Sequence, residues 1–236
     1  MRALLLSASR EGDTPFLAHA LPLIDKLLAE DERELLFVPF AGVTLDWDQY
    51  SAKVAQALAP LRITVTGIHT VDDPLAAIAK AKAIAIGGGN TFRLLTELYQ
   101  RQLLGAIAER VKGGSLPYIG WSAGSNVAGK SIRTTNDMPI VYPPSFDALG
   151  LLPLQINPHF SNYIQPGHNG ETRTDRLNEF LTLCPEEKVA CLPEGTALAL
   201  DGKQMTLLGN KEAYLMAFND TQTAEPATDI THWLRP

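Results

Sequence analysis

Gly120-Trp121-Ser122-Ala123-Gly124 follows an apolar run at residues 116–119 and precedes a segment with helix-forming residues. Gly-x-Ser-x-Gly between a strand and a helix is the pattern of a nucleophile elbow, a tight turn that holds the serine hydroxyl at the carboxyl edge of a sheet. The residues beside the serine must be small because the turn is so tight. The stretch therefore predicts a strand, a sharp turn at Ser122 and a helix. The alternative interpretation of Ser122 is a helix-capping serine in a glycine-rich turn.

Short apolar runs recur through the first 125 residues, with helical patterns between them. The runs lie at residues 3–6, 35–39, 63–68, 83–86 and 116–119. They are short and rich in leucine or β-branched residues, which is typical of buried parallel strands. Regular strand–helix alternation predicts an α/β fold with a mostly parallel central sheet and helices on both faces. Pro22 falls within the first helical pattern and predicts a kink there. Further along the chain, the leucines from Leu94 onward predict one long or broken helix.

The second half of the chain is less regular. Five prolines between residues 134 and 158 predict a loop, and Thr172-Arg173-Thr174-Asp175 fits a capping box that begins a helix. Strand-like runs follow at residues 189–192, 197–200, 205–208 and 214–218. Turn signals between the last three predict antiparallel hairpins at the sheet edge near the C-terminus. We expect one α/β domain over residues 1–236.

Composition excludes several functional classes. The 236 residues are 45% hydrophobic and 19% charged, with a net charge of −6 and no basic block, so we expect no nucleic-acid partner. Two cysteines, Cys184 and Cys191, form no disulfide framework and favour a reducing compartment. The first apolar run is too short for a signal peptide, and no stretch approaches a membrane span. We therefore expect a cytoplasmic protein without a membrane partner, and nothing in the sequence indicates its oligomeric state.

A serine nucleophile requires a base, because an unassisted hydroxyl is hardly ionised at neutral pH. Among five histidines, His159 follows the apolar run at residues 154–156, so it lies at a strand end on the edge where Ser122 points. His168, in a polar loop, is the main alternative. His232, near the C-terminus, is a second one.

A third residue should orient the imidazole and stabilise its charged form. Glu194 follows the strand-like run at residues 189–192, again at a carboxyl end. Asp137 competes with it from a loop close in sequence to the elbow. For each carboxylate the alternative is a structural role in a turn.

Gly87-Gly88-Gly89-Asn90 follows another predicted strand and opens a helix. A dinucleotide-binding loop would need glycine where this chain has Phe92, so we favour a different use. Backbone N–H groups of Gly88 or Gly89, with that of Ala123, could form an oxyanion hole. A plain helix-capping loop is the alternative.

Arg173 lies in the first turn of its predicted helix, where the helix dipole disfavours a cation. A solvated surface arginine would explain it, but an acidic protein that binds an acidic substrate needs a local cation. The histidines and cysteines lack the spacing of metal ligands, so we expect no metal site.

Several blocks together resemble the peptidase E family of serine peptidases, the aspartyl dipeptidases. The matching blocks, in order, are Pro39-Phe40-Ala41-Gly42-Val43, Gly87-Gly88-Gly89-Asn90-Thr91-Phe92, Gly120-Trp121-Ser122-Ala123-Gly124, Arg133-Thr134-Thr135-Asn136-Asp137-Met138-Pro139-Ile140, Asn157-Pro158-His159-Phe160 and Gly170-Glu171-Thr172-Arg173. The resemblance implies a class I glutamine amidotransferase-like fold. It also implies hydrolysis of dipeptides with an N-terminal aspartate, without metal or cofactor.

The resemblance also implies roles for individual residues. Ser122 would be the nucleophile and His159 the general base. The family is acidic at both Asp137 and Glu194, which leaves the third position open, and the strand-end argument favours Glu194. Arg173 is the candidate for binding the aspartate side chain, with Asn90 also assigned to substrate binding.

Two positions depart from related patterns. Amidotransferases of this fold place the acid two residues after the histidine, where this chain has Ser161. Ser125 stands where the family leads us to expect alanine, and we expect that change to leave the chemistry intact.

Three other functions are consistent with the motifs. An α/β-hydrolase esterase would use Ser122 with His232. A cyanophycinase-like peptidase would share the elbow and prefer a β-linked aspartyl–arginine polymer. A non-enzymatic sensor would bind an anion at the loop of residues 87–90.

Overall fold

The computed structural model describes residues 1–164, 166–167 and 169–235 of the chain. His168, the main alternative for the base, lies outside the described residues. No helix in these ranges is both long and apolar enough to cross a membrane.

The described chain contains eleven strands and seven α-helices. The strands are β1 (Arg2–Leu6), β2 (Glu34–Val38), β3 (Thr64–Gly67), β4 (Ala83–Ile86), β5 (Tyr118–Trp121), β6 (Gln155–Pro158), β7 (Lys188–Leu192), β8 (Thr196–Asp201), β9 (Gln204–Gly209), β10 (Ala213–Ala217) and β11 (Asp220–Ala224). The helices are α1 (Leu21–Leu27), α2 (Trp47–Leu58), α3 (Pro74–Lys80), α4 (Thr91–Gln100), α5 (Leu104–Lys112), α6 (Ala123–Asn126) and α7 (Arg173–Leu183).

Seven strands form the main sheet, in the order β3-β2-β4-β5-β1-β8-β9. The first five are parallel, while β8 runs antiparallel to β1 and β9 antiparallel to β8. All four residues of β4 and of β5 are buried, as expected for central strands covered on both faces. The predicted α/β class, with its parallel sheet and antiparallel edge hairpin, is confirmed.

Four strands form a second sheet, in the order β11-β10-β7-β6, which the sequence did not predict. β6 and β7 are parallel, and β10 pairs with β7 and β11. The run at residues 214–218 was expected to extend the edge hairpins of the main sheet, but Leu215 lies opposite Ala190 of β7. A single buried cluster includes Leu5 of β1 and Ile156 of β6, so the two sheets share apolar packing.

Two helical patterns differ in detail from their predictions. α1 begins at Leu21, so Pro22 lies in the first turn, where its missing N–H leaves no helical bond unmade. The pattern from Leu94 onward is broken: α4 ends at Gln100 and α5 begins at Leu104. Gln102, between them, has a left-handed backbone with φ of 57°.

The predicted capping box at the start of α7 is present. The Thr172 hydroxyl accepts from the Asp175 N–H at 3.1 Å, and the Asp175 carboxylate accepts from the Thr172 N–H at 2.8 Å. These bonds begin α7 at Arg173.

The strand ends bring the candidate residues to one place. β1, β4 and β5 are neighbours in the main sheet, and Ser7, Gly87 and Ser122 follow their carboxyl ends. β6 and β7 are neighbours in the second sheet and lead into His159 and Pro193. The Ser7 hydroxyl donates to the Leu192 carbonyl at 2.7 Å, which joins the carboxyl ends of the two sheets.

Candidate active site

Ser122 occupies a sharp turn between β5 and α6. Its φ is 53° and its ψ is −114°, a backbone conformation that non-glycine residues rarely adopt. Its N–H donates to the Leu6 carbonyl of β1 at 3.2 Å. The rare backbone conformation places strain at the residue predicted to be the nucleophile. The Gly124 carbonyl, two residues later, accepts from the buried Tyr118 hydroxyl at 2.6 Å. Burial raises the pKa of Tyr118, so this hydroxyl keeps its proton and remains a donor.

The glycines beside Ser122 allow a close approach of backbones. A Cβ added to Gly124 would lie 2.0 Å from the Ile86 carbonyl oxygen of β4. A Cβ added to Gly120 would lie 2.6 Å from the Gly124 carbonyl oxygen. The sequence requirement for small residues thus has a specific steric cause.

Replacing Gly124 by alanine is expected to destabilise the protein by about 1–3 kcal/mol or more, because the Ile86 backbone would have to move. Gly105 is the matched control: it lies in α5, and an added Cβ would meet nothing within 4 Å. Gly105→Ala should leave stability unchanged or raise it by up to about 1 kcal/mol. Urea denaturation measures both, and equal effects would contradict the steric explanation.

His159 and Glu194 continue a chain of hydrogen bonds from Ser122. His159 Nε2 lies 2.8 Å from Ser122 Oγ, and His159 Nδ1 lies 2.7 Å from Glu194 Oε1. When His159 Nδ1 carries the proton and donates a hydrogen bond to the Glu194 carboxylate, His159 Nε2 accepts a hydrogen bond from the Ser122 hydroxyl. This is the geometry of a nucleophile, a base and an orienting acid.

The backbone of His159 is held from the main sheet. Its N–H donates to Ser7 Oγ at 2.9 Å, and its φ is 53°. Ser7 is fully buried and also bonds to Leu192, so one hydroxyl connects the strand ends before His159 and Glu194. Sequence reasoning missed Ser7, although a serine directly after the predicted strand at residues 3–6 was a usable signal.

A cleft of about 540 Å³ opens over Ser122 and His159. Its lining includes Gly88, Gly89 and Asn90 from the loop after β4. Arg10 and Lys53 also line it, and sequence reasoning missed both cations.

The glycine-rich loop lies against the serine. A Cβ on Gly88 would come within 2.9 Å of Ser122 Cβ, and Gly89 has φ of 135°. Across the described residues, neither the Gly88 nor the Gly89 N–H donates a hydrogen bond. The Gly88 carbonyl accepts from the Tyr50 hydroxyl at 3.0 Å, and burial raises the pKa of Tyr50 to about 12. Two unused donors thus lie beside Ser122, as an oxyanion hole would require.

Comparison with known proteins places this site in a family. The model of peptidase family S51 matches residues 3–208. The chain belongs to peptidase family S51. Peptidase E of Shewanella amazonensis is 57% identical over 214 residues, which cover 91% of this chain and 90% of the relative. Peptidase E of Shewanella baltica is 52% identical over 237 residues, with 100% and 98% covered. The resemblance predicted from the sequence is confirmed, and this S51 member is a serine peptidase.

Solved structures share the fold of this S51 peptidase at lower sequence identity. A crystal structure from Listeria monocytogenes EGD-e is 23% identical with a TM-score of 0.65, covering 89% of this chain and 98% of the other. The crystal structure of a peptidase from an acI-B1 Actinobacterium is 14% identical with a TM-score of 0.66, covering 97% and 96%. At these identities the likeness is one of fold.

Asp137 of the S51 chain lies at the N-terminus of α4. Its Oδ2 accepts from the Thr91 N–H at 2.6 Å and also from the Thr91 hydroxyl. Asn90 caps the same helix: Oδ1 accepts from the Arg93 N–H at 3.0 Å, and Nδ2 donates to the Met138 carbonyl at 2.9 Å. The structure thus brings Glu194 to His159 and Asp137 to the helix end behind the glycine-rich loop.

Arg173 begins α7 and is half-buried at the end of β6. Its Nη1 lies 3.4 Å from Asn157 Oδ1. Burial lowers the pKa of Arg173, and the neighbouring Arg176 lowers it further, yet a guanidinium stays charged. Over the ranges that the structure describes, no carboxylate lies within ion-pair distance of Arg173, and Arg173 does not line the cleft over Ser122.

The other described histidines lie apart from Ser122. His69 Nε2 lies 3.0 Å from Asp48 Oδ1, and His19 is half-buried with its Nδ1 unbonded. His232 lies in the turn Thr231–Leu234, which packs on β9 at the far edge of the main sheet. In the described part of the chain, no group of three or more His, Cys, Asp or Glu side chains could hold a metal ion.

Ser125 and Ser161 also have defined places. The buried Ser125 hydroxyl donates to the Leu6 carbonyl at 2.6 Å, the same carbonyl that accepts from the Ser122 N–H. Ser161 Oγ accepts from the Tyr163 N–H at 3.1 Å, in the loop after β6.

Proposed function

We propose that this S51 peptidase hydrolyses dipeptides whose first residue is aspartate, through an acyl-enzyme on Ser122. The observation that carries the proposal is the continuous hydrogen-bond chain Glu194–His159–Ser122, of which Ser122 and His159 line one cleft. The resemblance to the peptidase E family, the aspartyl dipeptidases, supports the substrate class.

Acylation starts with attack of Ser122 Oγ on the α-carbonyl carbon of the aspartate, in the peptide bond to the second residue. His159 Nε2 takes the hydroxyl proton as the new C–O bond forms. Glu194 accepts from Nδ1 and stabilises the imidazolium. The C–N bond then breaks, and His159 returns its proton to the leaving amine. Water then attacks the acyl carbonyl while His159 Nε2 takes its proton. The C–O bond to Ser122 breaks as His159 returns that proton to Ser122 Oγ, and aspartate is released.

The oxyanion of each tetrahedral intermediate is assigned to the N–H groups of Gly88, Gly89 and Ala123. Gly88 and Gly89 have unused donors beside Ser122, and Ala123 is the first residue of α6, directly after the nucleophile. A preorganised donor of this kind contributes about 2.7–4 kcal/mol to transition-state stabilisation.

Glu194 is assigned as the third member of the triad because its carboxylate contacts the imidazole. Asp137 is assigned a positioning role, since its carboxylate holds Thr91 at the start of α4. That contact holds the helix which follows the glycine-rich loop.

Arg173 is assigned to the aspartate side chain of the substrate. A half-buried guanidinium with no carboxylate partner in the described ranges is a site for an anion. Asn90 is assigned to the substrate as well: it lines the cleft, and its Oδ1 has a second lone pair for a substrate N–H.

Replacing Arg173 by methionine is expected to raise KM for Asp-Leu by about 10- to 100-fold, because a charge-assisted bond is lost, with kcat changed far less. Arg176→Met is the matched control, since Arg176 lies one turn along α7 and is exposed. Initial-rate kinetics on both variants measure the effect. An unchanged KM in Arg173→Met, or an equal rise in the control, would reject this role.

A dipeptide panel tests the proposed function: Asp-Leu, Glu-Leu, β-Asp-Leu, Ala-Leu and Asp-Leu-Leu. We expect Asp-Leu to be cleaved best. Comparable turnover of Ala-Leu would reject the acidic substrate, and preference for β-Asp-Leu would indicate a cyanophycinase-like specificity. Labelling by a serine-directed phosphonate separates an enzyme from an anion sensor, which should not react.

A cytoplasmic location is proposed from the cysteines. Cys184 and Cys191 are both free, and burial raises the pKa of Cys191, which keeps its thiol protonated and unreactive. Free thiols are consistent with a reducing compartment. Cell fractionation with an antibody to the protein tests the location.

A further inference from the structure

Two cations, Arg10 and Lys53, line the cleft over Ser122. No carboxylate is among the described residues that line this cleft. Both side chains are exposed, and within the described ranges neither forms an ion pair or a side-chain hydrogen bond. In a protein of net charge −6, two unpaired cations in one cleft mark a local site for an anion.

Lys53 is held at the cleft wall by aromatic packing. It lies on α2 one turn after Tyr50, so the two side chains share a face of the helix. Its Nζ lies 4.6 Å from the centre of the Phe16 ring, a cation–π distance. The Phe16 ring packs edge-on against Trp121, 6.1 Å between centres, and Trp121 directly precedes the nucleophile.

The Tyr50 face of α2 is also tied to the catalytic loops. The Tyr50 hydroxyl accepts from Trp121 Nε1 at 3.0 Å and donates to the Gly88 carbonyl at 3.0 Å. Lys53 therefore stands on an element bonded to both the nucleophile strand and the glycine-rich loop.

Arg10 reaches the cleft from the main sheet. It lies three residues after Ser7, which follows β1 and bonds to the His159 N–H. The two cations thus come from separate elements, the segment after β1 and helix α2, and line one cavity with Ser122. Arg173 lies elsewhere, at the end of β6 beside Asn157.

A dipeptide that begins with aspartate has two carboxylates near its scissile bond. One is the aspartate side chain, and the other is the terminal α-carboxylate of the leaving residue. A residue spans only about 3.5 Å, so that carboxylate lies within one residue length of the broken bond. In a longer peptide the same position holds a neutral amide.

We propose that Arg10 and Lys53 bind the α-carboxylate of the leaving residue and thereby restrict this peptidase to dipeptides. The assignment rests on the proposed function and adds its length selection. The cleft takes the leaving residue, whose carboxylate meets two cations, while Arg173 takes the aspartate side chain. A tripeptide would place an uncharged amide against both cations and lose the attraction.

The test compares Asp-Leu with Asp-Leu-amide, which removes only the terminal charge. Steady-state kinetics use the full chain, the double variant Arg10→Gln/Lys53→Gln, and Lys203→Gln as control. Lys203 is exposed in the turn between β8 and β9 and does not line the cleft. Labelling of Ser122 by an uncharged phosphonate verifies that each variant keeps its folded site.

We expect the unsubstituted protein to favour Asp-Leu over its amide by about tenfold or more in kcat/KM. The double variant should lose that preference through a higher KM for Asp-Leu, with kcat and the rates on the amide nearly unchanged. The control should retain the preference. Equal cleavage of acid and amide by the unsubstituted protein, or a preference that persists in the double variant, would overturn the proposal.

Asp-Glu-amide distinguishes the source of the carboxylate, because the only carboxylate of its leaving residue is on the side chain. Cleavage of Asp-Glu-amide as fast as Asp-Leu would overturn the assignment to the α-carboxylate. Failure of the proposed function gives a different result, namely no cleavage of Asp-Leu by the unsubstituted protein.

Discussion

Ser122→Ala is expected to lower kcat for Asp-Leu by about 10⁴-fold or more and to abolish phosphonate labelling. The reason is that the hydroxyl 2.8 Å from His159 Nε2 is the only group we assign to attack. Alanine lacks the hydroxyl that bonds to His159, and we expect the backbone turn, which has φ of 53° at Ser122, to be retained. Initial rates with excess enzyme measure the loss, and circular dichroism verifies the fold.

Ser125→Ala is the matched control for Ser122→Ala. Ser125 lies one turn along the same elbow, is buried, and bonds to the Leu6 carbonyl rather than to His159. Its loss should cost about 0.5–1.5 kcal/mol of stability and leave kcat within a few-fold. If Ser122→Ala kept more than a small fraction of activity, or if Ser125→Ala were equally inactive, Ser122 would not be the nucleophile.

Glu194→Gln is expected to lower kcat by about 10²- to 10⁴-fold with little effect on stability. A neutral amide beside Nδ1 no longer stabilises the imidazolium and can hold the ring in the wrong tautomer. The comparison is Asp137→Asn, which keeps size and removes charge at the other candidate. Kinetics and urea denaturation are measured for both variants.

Asp137→Asn should behave differently, because its carboxylate accepts from the Thr91 N–H at the start of α4. We expect a loss of about 0.5–2 kcal/mol in stability and a kcat reduced far less than in Glu194→Gln. The reverse ranking of kcat would move the third position of the triad to Asp137. Similar large losses in both would show that the two carboxylates act together.

Glu194 and Asp137 show which part of the site could be predicted from the sequence and which could not. Each carboxylate follows turn-forming residues, and the resemblance to the family implied an acidic residue at both positions. Which one contacts His159 depends on strand order: β7 pairs with β6, so Glu194 and His159 leave neighbouring strands at the same end. Strand pairing joins residues distant in sequence, and no local pattern encodes it.

Arg10 and Lys53 illustrate the same limit for the cleft. Taken singly, an arginine after a strand and a lysine on a helix look like ordinary surface cations. Lys53 lines the cavity with Ser122 because α2 packs with Phe16 and Trp121, whereas Arg10 lines it from the segment after β1. Ser7 differs, since its place directly after a buried strand was visible in the sequence.

The sequence by itself determined the parallel α/β class, the elbow at Ser122 and the capping box at Thr172. These features depend on local chemistry: buried strand periodicity, the steric need for Gly120 and Gly124, and a side chain that bonds three residues away. The tertiary structure decided the second sheet, the contact of Glu194 with His159 and the cations of the cleft. Those features depend on which strands pair and which helices pack together. The interactions that stabilise them therefore join residues far apart in the chain.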